Sequence, residues 1–104
     1  MLSVSEKVRE IPVTYDVDVI VVGGGVTGCV AAIASARRGT QTLLIERSGM
    51  LGGVATSGLM ASITNFFFCS DGHQVVKGIP EELIDTLATE GITSSQWRTP
   101  KLPQ

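Results

Sequence analysis

The chain has 104 residues, a formal net charge of −2, 43% hydrophobic and 17% charged residues, and a mean hydropathy of +0.30. That length suits one small domain, and the composition is that of a folded chain, not a disordered one. Lysines and arginines are scattered singly apart from the Arg37–Arg38 pair, which argues against a nucleic-acid or anionic-membrane partner.

Residues 1–15 read as a polar leader carrying Glu6, Lys7, Arg9 and Glu10, without the apolar core of a signal peptide. Asp16 to Val22 is a short β-branched run with little alternation, the pattern of a strand buried on both faces of a parallel sheet. From Val26 to Arg38 an alanine-rich stretch predicts a buried helix. Arg37 and Arg38 suit its C-terminal end, and Gly39 stands where the chain must leave it. Gln41 to Glu46, "QTLLIE", reads as a second strand. Strand, helix and strand within about 30 residues make a βαβ unit, with the right-handed crossover such units take.

The stretch from Arg47 to Gly78 holds six glycines and no sustained period, with a short helix expected around Gly53 to Met60. "IPEELIDTLATEG" then predicts a helix with Pro80 at its start, Glu81 and Glu82 at its positive end and Gly91 after its last turn. Leu83, Ile84, Leu87 and Ala88 form its apolar face. Residues 92–104 read as a tail with little to bury. No apolar run approaches the roughly 18–20 residues that span a bilayer. Cys29 and Cys69 match neither a disulfide framework nor a metal spacing, and no metal site is expected. The simplest setting is reducing and cytoplasmic.

Gly23-x-Gly25-x-x-Gly28 falls between the first strand and the first helix, the context that a dinucleotide fingerprint requires. Gly23 permits the sharp turn, Gly25 lets the backbone approach a pyrophosphate, and Gly28 lets helix and strand pack closely, with Ala32 continuing the small surface. Backbone N–H groups at Val26 and Thr27 present positive partial charge to phosphates. Glu46, about 20 residues further on, ends the second strand where an acid accepts hydrogen bonds from ribose hydroxyls. Its charge disfavours a 2′-phosphate, although Arg47 beside it offsets that. The fingerprint alone leaves NAD and FAD both open. A second glycine pair, Gly52–Gly53, follows the acid where a plain NAD-binding domain passes into an ordinary helix, and this favours a longer ligand.

With Asp18 to Ala36, Leu43 to Arg47, Leu51 to Thr56, Gly58–Leu59 and Gly78 to Leu83 in place, the chain resembles the FAD-dependent oxidoreductases of the glutathione-reductase-like superfamily over roughly residues 12–90. The resemblance implies a partial Rossmann-type three-layer α/β fold: a βαβ unit, a glycine-rich loop and a C-terminal helix. Residues 16–91 would be the N-terminal part of an FAD-binding domain. It implies FAD as cofactor, with Gly23, Gly25 and Gly28 at the pyrophosphate, Glu46 on the adenosine ribose and Arg47 near the adenine. Gly52, Gly53, Val54, Ala55 and Thr56 would approach the pyrophosphate and the flavin side. It also implies a small-molecule substrate and later segments beyond residue 104, so that this stretch alone is expected to be inactive, marginally stable and prone to self-association. A stand-alone NAD-binding module and a non-catalytic remnant are the alternatives.

The remaining tempting residues divide between two readings. His73 beside Asp71 is either a proton donor near a flavin or a solvated loop residue, and Cys69 has nothing nearby to stabilise a thiolate. Phe66, Phe67 and Phe68 suit a core or a ring-facing wall, and Glu81 and Glu82 are helix-start charges. No catalytic residue is assigned.

Overall fold

The computed structural model describes residues 1–60, 62 and 67–93. Phe66 and most of the expected tail lie outside the described residues. In chain order the elements are strand β1 (Val19–Val22), helix α1 (Val26–Arg37), strand β2 (Thr42–Ile45), a single 3-10 turn (Gly53–Ala55) and helix α2 (Ile79–Thr89). Both strands are shorter than the apolar runs that predict them. At the start of β1, Asp18 instead accepts a hydrogen bond from the Gln41 N–H at 2.8 Å, clamping the entry to both strands.

β1 and β2 pair in parallel, with Val19 opposite Thr42 and Val22 opposite Ile45. Side chains alternate across a sheet, so this register sets Val19, Val21, Thr42 and Leu44 on one face and Ile20, Val22, Leu43 and Ile45 on the other. α1 covers the first face. Thr42 Oγ1 lies 2.9 Å from Ser35 Oγ on α1, and Val21 Cγ1 lies beside Gly28. The second face stays open, with Val22 81% and Ile20 52% exposed. The expectation of strands buried on both faces therefore holds for one face only, because no described element packs on the other. For the same reason α1 contains no fully buried residue and Cys29 is only half-buried.

Helix ends follow their local chemistry. After α1 the Gly39 N–H bonds to the Ala36 carbonyl at 3.0 Å, and the Thr40 hydroxyl donates to the Ser35 carbonyl at 3.0 Å. α2 ends in a complete Schellman motif: Gly91 has φ +73°, its N–H reaches Ala88 O at 3.1 Å, and the Ile92 N–H reaches Leu87 O at 2.8 Å. On α2 Ile84 is buried, Leu87 and Ala88 are half-buried and Leu83 is exposed, so the expected apolar face is narrower by one residue. An exposed bidentate pair joins the last turn of α1 to the first turn of α2, with Arg37 Nη1 and Nη2 at 3.0 and 2.6 Å from the Glu82 carboxylate oxygens. Each partner holds the other's charge: the hydrogen bond lowers the Glu82 pKa and raises that of Arg37.

Candidate dinucleotide site

The chain leaves β1 through Gly23, whose φ of +101° is a region that favours glycine, and whose N–H bonds to Ile45 O at 2.8 Å. That bond extends the β1–β2 pairing by one step and fixes where the turn begins. α1 starts at Val26 with Gly25 as its N-cap. No side chain caps this end, and its first turn contains no acidic residue. The partial positive charge of the helix N-terminus is therefore not neutralised by the helix itself.

Gly28 explains how closely α1 approaches the turn. A Cβ there would collide with the carbonyl oxygen of Gly23, a backbone atom that cannot rotate away. At Gly25, by contrast, an added Cβ would meet nothing within 4 Å among the described residues, so that side of the turn is open to an incoming group. Close packing at one glycine and free approach at the other are the two properties that a phosphate-binding turn needs.

Gly24, the position the fingerprint leaves unspecified, proves to be the centre of the site. It is buried, and its N–H donates to Glu46 Oε2 at 2.6 Å. Its carbonyl accepts the Gly52 N–H at 2.8 Å and the Cys29 thiol at 3.3 Å. One residue thus ties the first glycine turn to the acid at the end of β2 and to the second glycine turn. The second turn closes on the first. Gly25 and Gly52 form a parallel bridge, and a Cβ on Gly53 would lie 3.0 Å from Gly25 Cα. Sequence reasoning missed this role for Gly24, although the middle glycine of three in a row, placed where any residue is formally allowed, was the available signal.

Beyond Gly53 the short helix expected to reach Met60 is one 3-10 turn, after which the chain folds back on itself. The Gly58 N–H returns to Gly53 O at 2.9 Å and the Met60 N–H to Val54 O at 3.0 Å. The Thr56 hydroxyl donates to Leu51 O and the Ser57 hydroxyl to Gly53 O. These bonds leave Val54, Ala55 and Thr56 exposed on a tightly wound loop.

Glu46 is engaged on both oxygens, with Oε1 accepting the Ser48 N–H at 2.8 Å and the Ser48 hydroxyl at 2.9 Å. The Ser48 N–H, then the Gly24 N–H, hold its pKa down at about 2. Arg47 beside it is exposed. The structure therefore brings Gly23, Gly25, Val26, Gly28, Glu46, Gly52 and Gly53 around one turn-to-turn contact.

A second cluster lies apart in sequence, on the loop 67–76. The Cys69 thiol donates to Asp71 Oδ1 at 2.8 Å, and His73 Nδ1 sits 3.3 Å from Asp71 Oδ2 with both side chains exposed. The hydrogen bond to Asp71 raises the Cys69 pKa and so favours the thiol over the thiolate. Phe68 bridges to Gln74, and Phe67 is half-buried.

Comparison with known proteins gives a consistent set of likenesses. The profile of the family described as FAD dependent oxidoreductase matches residues 18–103. A urocanate reductase of Eggerthella lenta is 39% identical over 74 residues, 68% of this chain and 12% of the reductase. A dihydrolipoyl dehydrogenase of Trypanosoma brucei brucei is 49% identical over 45 residues, 43% of this chain and 9% of the dehydrogenase. The tRNA uridine 5-carboxymethylaminomethyl modification enzyme MnmG of Protochlamydia amoebophila is 65% identical over 34 residues, 33% of this chain and 5% of the enzyme. The chain thus spans about an eighth or less of the length of these relatives. No solved structure matches.

Proposed function

The chain belongs to the FAD-dependent oxidoreductase family, whose cofactor is FAD, and from that premise we propose that its two glycine turns bind the ADP and pyrophosphate portion of FAD. The carrying observation is the pairing at α1: a Gly28 that admits no Cβ beside a Gly25 whose Cβ direction is open among the described residues, at a helix end that none of their side chains caps. The phosphates would meet the N–H groups of Val26 and Thr27, whose partial charge suits an anion. Glu46, held ionised, would accept from the adenosine ribose, and Arg47 would lie near the adenine. The second turn, Gly52 to Thr56, would follow the ligand towards the flavin.

Bound FAD supplies two-electron redox chemistry at its ring system, and the chain's own residues bind and orient it. The finer architecture in this reading is a Rossmann-type three-layer domain whose second helical layer would pack on the open face of the sheet. Substrate and electron acceptor belong to the whole protein, and a cytoplasmic setting is part of the same proposal. Among the described residues no helix is long and apolar enough to cross a membrane.

The test is to purify the chain, record a flavin spectrum, and titrate FAD and NAD separately. Saturable FAD binding with weak or no NAD binding is expected. Tight NAD binding without a response to FAD would overturn the reading in favour of an NAD module, and binding of neither would favour a remnant without cofactor.

A further inference from the structure

Ser48 stands two residues beyond the acid, outside the fingerprint and outside every residue assigned above. Its backbone N–H reaches Glu46 Oε1 at 2.8 Å. Its hydroxyl has one proton and two acceptors at the same distance, 2.9 Å to Glu46 Oε1 and 2.9 Å to the Met50 carbonyl oxygen. A serine hydroxyl can donate to only one of them at a time. When it donates to Glu46, Oε1 has both lone pairs engaged, one by the N–H and one by the hydroxyl. When it turns to Met50, a lone pair on Oε1 becomes open to another donor while Ser48 keeps a partner. The Ser48 proton has an acceptor in either state, and the oxygen it leaves lies at an exposed or half-exposed position.

We infer that Ser48 is a positioning residue for Glu46: it holds the carboxylate in its ligand-ready orientation and yields Oε1 to a ribose hydroxyl by turning its own hydroxyl to Met50. The assignment rests on the reading of the site as a dinucleotide site. The opposite oxygen is fixed by Gly24, so the two bonds clamp the carboxylate from both sides. Gly24, which meets Glu46 from the first glycine turn, brings a backbone N–H and no charge, and the depression of the Glu46 pKa comes from hydrogen bonds, with no ionic partner among the causes. Replacing the hydroxyl therefore acts on Glu46 directly.

The experiment compares the full chain with Ser48→Ala and Ser48→Thr. ADP and 2′,3′-dideoxy-ADP serve as calorimetric probes. The Glu46 carboxyl carbon is followed by NMR from pH 7 to pH 3, with the Gly24 amide proton as reporter of the intact turn. The alanine variant keeps the backbone N–H at an exposed position, so the turn is retained. In the parent chain Glu46 stays ionised to pH 3 and ADP binds more tightly than the dideoxy probe. In Ser48→Ala the Glu46 midpoint rises, so that its carboxylate protonates more at pH 3 than in the parent chain, ADP affinity falls roughly threefold to tenfold, dideoxy-ADP affinity is unchanged, and Ser48→Thr restores the parent behaviour. An unmoved Glu46 midpoint in Ser48→Ala, or equal losses for both probes, would overturn the assignment. If the parent chain binds neither ADP nor FAD, the dinucleotide reading fails, and the Glu46 titration still decides whether Ser48 holds the carboxylate.

Discussion

At the scale of single residues, the site depends on atoms that are absent. Gly28→Ala would drive a methyl group into the Gly23 carbonyl, and the neighbour is backbone, so the turn itself has to move. The expected cost is about 1–3 kcal/mol, the range for overpacking, with loss of FAD binding. Thermal melts and a fluorescence titration check both. Glu46 makes a prediction about acid. Its folded pKa of about 2 lies below the ordinary value of 4.5, so its contribution to stability is complete above about pH 4.5 and is lost as pH falls towards 2. Acid unfolding of Glu46→Gln should therefore show a shallower dependence on pH across that window than the parent chain. A dependence of equal steepness would mean that Glu46 gains nothing from its partners on folding.

The residue scale is also where sequence legibility divides most sharply. Gly23, Gly25, Gly28 and Glu46 announce themselves by spacing, because each task maps to a fixed distance along the chain. Gly24, Ser48 and the Cys29 thiol do not. Their roles arise from contacts made only once the turn has closed, between positions 22 residues apart in the case of Gly24 and Glu46.

At the scale of elements, α1 and α2 were legible because their ends carry local signals, the Arg37–Gly39 exit and the Pro80 and Gly91 boundaries. Gly91→Ala would force a β-carbon into a left-handed conformation at φ +73°, costing roughly 1 kcal/mol and loosening the last turn of α2. Faster amide exchange at Ile92 and Gly91, with α1 unaffected, is the expected result. The Arg37–Glu82 pair could not be read from sequence, since 45 residues separate its members and each reads alone as a helix-end charge. Both side chains are about half exposed, so their coupling in a double-mutant cycle should be small and should vanish at 1 M salt. The single 3-10 turn at Gly53 shows the opposite case. An apparent helical stretch to Met60 is overridden by hydrogen bonds that fold the loop back onto Gly53 and Val54.

At the scale of the whole molecule, the sheet has one face covered and, among the described residues, one face open. The chain's radius of gyration of 19.6 Å exceeds the roughly 13 Å of a compact chain of about 100 residues. Burying so little apolar surface leaves a small margin over conformational entropy. The 104-residue chain alone is therefore expected to self-associate through the face bearing Ile20 and Val22. Ile20→Lys should lower the sedimentation coefficient at high concentration. Saturating FAD should raise the melting temperature, as a ligand at 100 times its Kd adds about 2.7 kcal/mol. A monomeric chain with a sharp, ligand-independent melt would contradict both.

The order of strand, glycine turn, helix, strand and acid could be read along the chain, because it depends on local periodicity and on residues at set spacings; the family and its cofactor came from the resemblance and the profile match, since spacing alone left NAD and FAD both open. That Gly24 joins three segments, that Glu46 is already clamped by Gly24 and Ser48, and that one sheet face is uncovered among the described residues became visible in the folded chain. Those properties belong to distances between segments remote along the chain, and no local pattern encodes them.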